Sequence, residues 1–583
     1  MKKLFFVLIF VLILPFVSAR QGHMPLLAVK EKIGGYEGSV ADLYLEIQQG
    51  TGRVFMETYP LTKMDTQIST RFAKDVACDY LGLDCNEYDF FYTIKANSPI
   101  VGGPSAGAAI TILTIAMLED IELNEEITIT GTINSGGLIG PVGSLLAKID
   151  AASEIDIKTV LVPHGEGSVK EFNLTVNLTQ YANKYNITVI EVTDITSALY
   201  EFTGIYFKDI TKNLSVTPEY TKTMSILGEM LCDRSNFLYS QLLELKNKSK
   251  ESIGKDEIKI EKSALNKTQK GKKVLEEERY YSAASYCFGA NINYQYLIVK
   301  LENFTDFEAV KEEIQDFEKK IDEINLITVT DLETYMVVKE RLREAKESLN
   351  QSIEKYNNEK KFSDTLAYAI ERLYSAQSWS KFFSLPGKKF NLKKSNLEEG
   401  CIRKFLEAEE RVQYAGLFHE KELEELEKEL HLIEKALEEE NYAMCLFRAA
   451  KIKAEADVVL GVIGVEEDQV DNILNNKLNI VKRVIIEAQE QGMFPIIGYS
   501  YYEYANSLKN ESKYSALLYA EYALELSSLK LYFKEPMQEI GWSLERIKAK
   551  PGKKTPTSII FILGIIIGFL IASIKRKKAK KKR

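Results

Sequence analysis

The chain has 583 residues, 45% of them hydrophobic, with 84 Asp and Glu against 75 Lys and Arg and a formal net charge of −9. The length and apolar content support more than one buried core, and the acidic balance excludes a general nucleic-acid binder. Four histidines (His23, His164, His419, His431), none in an HExxH or finger-like spacing, point away from a metal centre and from a Ser-His-Asp triad.

Residues 1–19 read as a secretory signal: Lys2 and Lys3, an apolar run FFVLIFVLILPFV, and a small-residue site at Val17-Ser18-Ala19. An uncleaved anchor is the other reading. The next part looks α+β. ADLYLEIQ and RVFMETY alternate apolar and polar residues around QGTG, which predicts a hairpin. Asp65 or Thr66 is placed to cap a helix running to about Leu81. FFYTIKA predicts a strand leading into GGPSAGAA, where a helix (SAGAAITILTIAMLED) begins. TITGTI, KTVLVP and ITVIEV predict further short strands, and TDITSALYEF a closing helix with Asp194 near its start.

Two residues in this part carry chemistry. Ser105 lies among Gly102, Gly103 and Gly107, with Pro104 before it, at a helix start. Small residues let a substrate approach, and free N–H groups there can hold an oxyanion. Lys148 lies in GPVGSLLAKIDAA, with Leu145, Leu146 and Ile149 as apolar neighbours. A serine hydroxyl needs a base, and a lysine serves as one only if burial lowers its pKa. The ordinary alternative is a tight packing junction.

At these residues the sequence resembles the proteolytic domain of the Lon protease family, of archaeal type. Pro104-Ser105-Ala106-Gly107 is similar to the family's nucleophile motif. Thr130–Lys148 (TGTINSGGLIGPVGSLLAK) is similar, without a gap, to the segment that ends in the catalytic lysine 43 positions after the serine. The resemblance covers roughly residues 26–207. It implies Ser105 as nucleophile, Lys148 as general base and Thr130 as a residue placing the amine; Gly103, Pro104 and Ala106 are supporting residues of the serine loop, Pro104 by fixing φ before the serine. It implies no cofactor and no metal. The sequence departs from the family pattern at Gly102, where bacterial members have an acidic residue, and in the strand DFFYTIKA, which lacks the histidines some members carry. No G-x-x-x-x-G-K-[ST] phosphate loop is found.

Residues 218–548 read as an all-α repeat region, rich in Glu, Lys, Leu, Ala and Tyr at helical spacing. A segment recurs at 280–290, 361–371, 441–451 and 513–523, with Tyr281, Phe362, Tyr442 and Tyr514 in register; the intervals are 81, 80 and 72. This predicts helical hairpins, with each aromatic a packing residue. Cys287 and Cys445 take nearby positions in the first and third copies. Cys232–Cys287 and Cys401–Cys445 are therefore expected as equivalent staples and Cys78–Cys85 as a local one, with buried free thiols the alternative.

After a linker at 549–557, Ser558–Ile574 is uncharged and apolar, long enough to span a bilayer, and 575–583 (KRKKAKKKR) is a basic tail. Positive charge stays inside, so residues 20–556, with a net charge of about −19 and nine N-x-[ST] sequons, are expected outside. These features together predict a membrane-anchored, outward-facing Ser–Lys endopeptidase acting on unfolded or flexible protein without its own ATPase. A catalytically silent scaffold, or an amidase or self-processing enzyme, is the alternative. The expected partners are protein or peptide substrates and the membrane; self-association and a protein partner on the helical repeats are left open.

Overall fold

The computed structural model describes residues 21–533, apart from 33–34, 172–173, 209–213, 249–253, 384, 419–423, 464, 466 and 468. The expected signal (1–19), linker (549–557), apolar span (558–574) and basic tail (575–583) lie outside the described residues. Among the described residues no helix is long and apolar enough to cross a membrane.

The N-terminal part is α/β. Strands β1 (Gln21–Lys32), β2 (Gly35–Gln49), β3 (Val54–Thr62) and β4 (Tyr88–Val101) form one sheet in the order β1-β2-β4-β3. The expected hairpin of β2 with β3 does not form. β4 lies between them, parallel to β3 and antiparallel to β2. The reason is the helix α1 (Met64–Leu81), which follows β3 and returns the chain for a parallel pairing. The turn after β2 is bound to β4 instead: the Thr51 and Arg53 N–H groups donate to Asp89 Oδ1 at 2.7 and 3.0 Å. Ser39, Ala41, Leu43 and Leu45 alternate inward along β2. Ala41, Leu43 and Leu45 share one core with Phe72, Ala73, Val76 and Ala77 of α1 and with α2 (Gly107–Glu119), whose residues 107–116 are all buried.

A second, parallel sheet has the order β11-β8-β5, from β5 (Ile127–Ile129), β8 (Thr159–Pro163) and β11 (Thr188–Val192). Between β5 and β8 come the small antiparallel pair β6 (Thr132–Ile133) and β7 (Ile139–Gly140), then α3 (Leu145–Ala152). The pair β9 (Ser168–Glu171) and β10 (Leu174–Asn177), with the short α4 (Leu178–Ala182), precedes β11. The closing helix α5 (Ile195–Thr203) starts at Asp194, whose carboxylate accepts from the Ser197 N–H in a capping box.

The remainder is helical: α6 (Pro218–Lys248), α7 (Lys255–Glu276), α8 (Tyr280–Glu302), α9 (Phe307–Asp322), α10 (Val329–Asn357), α11 (Ser363–Trp379), α12 (Lys394–Gly416), α13 (Glu424–Glu438), α14 (Tyr442–Val462), α15 (Val470–Glu490), α16 (Ile496–Leu508) and α17 (Lys513–Ser527). The four recurring segments open α8, α11, α14 and α17. Tyr281 and Tyr442 are buried, and Phe362 packs on Phe307 and Tyr356. Tyr514 is the exception to the packing expectation. It is 53% exposed, because α17 packs through Ala516, Leu517 and Ala520 and Tyr514 falls off that stripe. The six cysteines form three disulfides, Cys78–Cys85, Cys232–Cys287 and Cys401–Cys445, with Cα separations of 6.0, 4.9 and 5.5 Å.

Candidate active site

The site begins where β4 ends. Gly103 has φ 98° and ψ 150°, a conformation closed to residues with a Cβ. One tight turn, Pro104–Ala106, then enters α2. Gly107 allows α2 to press on β6: a Cβ there would stand 3.0 Å from the Ile133 nitrogen. Backbone bonds sew the turn to the segment Thr130-Gly131. The Gly131 N–H donates to the Ser105 carbonyl at 3.0 Å, and the Ala108 N–H donates to the Gly131 carbonyl at 3.0 Å. Ser105, Gly103 and Ala106 are half-buried and Pro104 is buried.

The expected cap of α1 is displaced. Lys63 holds the cap position without a side-chain bond, so neither Asp65 nor Thr66 caps the helix. Asp65 instead turns to the serine loop: its Oδ2 accepts from the Gly103 N–H at 2.9 Å, and its Oδ1 from the Thr66 N–H at 2.6 Å. One of the N–H groups expected to serve an oxyanion is therefore bonded to a carboxylate in this structure.

Lys148 closes the first turn of α3. The helix starts from Ser144, a non-glycine residue at φ 58°. Its first turn packs Leu145 and Ile149 with Leu27, Val142 and Val160, and Leu146 is partly buried against them. The Lys148 side chain is buried as well. Its Nζ donates to Thr130 Oγ1 at 2.9 Å, and both residues are buried, at 3% and 1% exposure. Burial lowers the amine from 10.5 to about 8, opposed by the nearby Glu166 carboxylate. Burial pushes Glu166 up to about 7, against the pull of the Val142 N–H, which donates to its Oε2 at 3.3 Å, and of Lys148. Thr130 thus joins the two sequence-chosen residues: its hydroxyl meets Lys148, and the next residue's amide meets the Ser105 carbonyl.

The model of the Lon protease (S16) C-terminal proteolytic domain matches residues 95–197, which contain Ser105, Thr130 and Lys148. The chain carries a Lon-family proteolytic domain. It is 33% identical over 84 residues to the Archaeal Lon protease of Methanothermobacter thermautotrophicus, 14% of this chain and 13% of that protein. It is 28% identical over 121 residues to the Lon protease of Elusimicrobium minutum (20% and 14%) and 31% identical over 84 residues to Lon protease 2 of Bacillus subtilis (14% and 15%). The matched stretch thus spans 13 to 15% of the length of these relatives.

The proteolytic domain does not stand apart from the helices. Arg483 of α15 donates to the Gly136 carbonyl at 2.9 Å and pairs with Asp194 at 3.0 Å. Arg411 of α12 donates to the Ile133 carbonyl at 3.3 Å and pairs with Asp457 at 3.1 Å. The Tyr414 hydroxyl accepts from the Gly143 N–H at 3.3 Å. The excursion from Thr130 to Gly143, which links the two candidate residues, is therefore gripped at three points by helices over 250 residues away in sequence. Behind these contacts lies a buried ionic group. Asp457, Glu521 and Glu525 are close enough to share a cation. Lys404 and Lys453 pair with Glu525, Lys453 with Asp457 and Lys477 with Glu521, so lysine ammonium groups already answer their charge. Sequence reasoning missed Glu166, Arg411, Tyr414 and Arg483, and read Asp65 only as a helix cap. Glu166 stands close after the strand KTVLVP, the one local signal among them; the helical residues gave none.

Proposed function

We propose that this protein is a serine endopeptidase in which Ser105 is the nucleophile, Lys148 the general base and Thr130 the residue that aims the amine. The observation that carries the reading is the buried Lys148 amine, lowered to about 8 and hydrogen-bonded to Thr130, one residue from the amide bound to Ser105. Neutral Lys148 takes the Ser105 proton as Oγ adds to the peptide carbonyl carbon. The tetrahedral oxyanion collapses to an acyl-enzyme as the resulting ammonium protonates the leaving amine. Water then adds with Lys148 again as base, and the acid product leaves Ser105 restored. The Gly103 N–H joins the oxyanion donors once Asp65 releases it.

The substrates in this reading are unfolded or flexible protein segments. The apolar run 558–574 with the basic tail after it supports a single-pass anchor with the catalytic domain outside the cell. Three disulfides fit an oxidising compartment.

The test is hydrolysis of casein by the purified protein without nucleotide, beside Ser105→Ala and Lys148→Ala, with a fluorophosphonate probe mapped by peptide mass. Cleavage and Ser105 labelling by the parent alone support the reading. Cleavage that survives in Ser105→Ala would sink it.

A further inference from the structure

We propose that the helical region supplies a positioning residue to the catalytic lysine: Tyr414 of α12, whose hydroxyl holds the turn from which α3 starts. The proposal rests on Ser105 and Lys148 being the catalytic pair.

The turn Val142-Gly143-Ser144 fixes the direction of α3. Two consecutive N–H groups of that turn are bound by side chains from outside the helix. The Val142 N–H donates to Glu166 and the Gly143 N–H to Tyr414, each at 3.3 Å. Ser144 follows with φ 58°, and its carbonyl accepts the Lys148 N–H at 3.1 Å, closing the first turn. Lys148 is therefore one hydrogen-bonded turn from the point Tyr414 holds. A tilt of α3 at that point displaces the Lys148 amine from Thr130, and misplacement by about 1 Å can lower a rate about a hundredfold.

Tyr414 is itself fixed. The Phe418 ring stands edge-on to it with centroids 5.5 Å apart and covers Gly143, where a Cβ would lie 3.3 Å from the ring. One turn earlier on α12, Arg411 grips the Ile133 carbonyl, and the Cys401–Cys445 disulfide ties α12 to α14. Burial and the nearby Glu166 and Glu410 hold the Tyr414 hydroxyl well above its ordinary range, against Arg411, so it stays a neutral phenol across the working pH range. Glu166 is the charged group that faces Lys148, and Glu191 stands behind Glu166.

The experiment uses the full protein with a fluorogenic peptide from pH 6 to pH 10, comparing parent, Tyr414→Phe, Phe418→Leu, Gln413→Ala and Ser105→Ala. Tyr414→Phe keeps the ring and removes the acceptor. Loosening α3 misplaces the amine and lets water reach it, so kcat falls at every pH and its acidic limb moves up by about one unit, making the loss at pH 7 about tenfold larger than at pH 10, with KM within about twofold. Phe418→Leu, at a position 39% exposed, moves the limb the same way by less, and it carries the test if Tyr414→Phe folds poorly. Gln413→Ala, exposed on α12, leaves the limb in place. A merely structural Tyr414 would lower Tm and leave the limb where it was, and that result overturns the proposal. Ser105→Ala separates the two levels: if it cleaves like the parent, the catalytic pair itself is wrong and the proposal falls with it.

Discussion

Burying Lys148 should make the protein less stable, and replacing it should show by how much. In the unfolded chain the amine titrates at its ordinary 10.5; in the folded protein burial brings it to about 8. Between those values the unfolded chain binds a proton that the folded one does not, so stability rises with pH. Below about 8 both states are charged and the whole cost is present; above 10.5 it is gone. About 2.5 units at about 1.4 kcal/mol each gives roughly 3 kcal/mol. Lys148→Met keeps the unbranched length and removes the charge, but leaves the buried Thr130 hydroxyl without its partner, at roughly 1–2 kcal/mol. The expected net gain is about 1–2 kcal/mol at pH 7, falling away as pH approaches 10.5. Urea unfolding followed by circular dichroism at pH 7 and pH 10 measures it, with hydrolysis abolished in the same variant. On the proposed mechanism the same shift sets the activity: near pH 7 about one lysine in ten is neutral, against about one in three thousand at the ordinary value. A variant less stable than the parent at pH 7, or equally changed at both pH values, would refute the claim that burial lowers the pKa of this amine.

Thr130→Val removes the hydroxyl that accepts from Lys148; on the proposed mechanism kcat should fall about tenfold or more with KM within about twofold, while the fluorophosphonate probe still counts one site per chain. Ser144→Gly relieves a left-handed backbone that costs a non-glycine residue about 1 kcal/mol, partly offset by the freer unfolded chain, so a gain of up to about 0.5 kcal/mol in urea is expected; a loss would mean that the serine side chain is needed there. Removing the Cys401–Cys445 disulfide, which closes a separation of 44 residues, should lower stability by about 4 kcal/mol on the loop-entropy estimate, read as an earlier thermal transition in Cys401→Ala/Cys445→Ala.

The candidate site was legible because it is local. The serine loop and the lysine helix each need small residues and apolar neighbours within a few positions, and that pattern survives in one dimension. The strands KTVLVP and ITVIEV and the Asp194 cap were legible for the same reason. Pairing was not. β2 and β3 alternate as hairpin strands do, yet β4 lies between them, because alternation says which face is buried and nothing about the neighbour. Asp65 had the composition of a cap and was taken by a loop 38 residues away.

The helical half shows why the rest was hidden. In CIRKFLEAEERVQYAG the residues Lys404, Glu407, Arg411 and Tyr414 recur at helical spacing, and a charged stripe ordinarily faces water. Here it faces the proteolytic domain and the neighbouring helices. Lys404 is fully buried against Glu525 and Glu407, and Arg411 reaches the Ile133 carbonyl. Desolvating such charges is costly, and well-packed apolar residues would often hold two surfaces together as firmly. What apolar residues lack is direction. The carbonyls of Ile133 and Gly136 and the N–H of Gly143 need donors and acceptors at set positions, and Arg411, Arg483 and Tyr414 supply them. A greasy interface would tolerate sliding by a fraction of a turn; this one specifies where the segment between Thr130 and Gly143 must lie. On the proposed mechanism that placement is the distance between a nucleophile and its base, which gives a physical reason for the helical region to carry its charges inward.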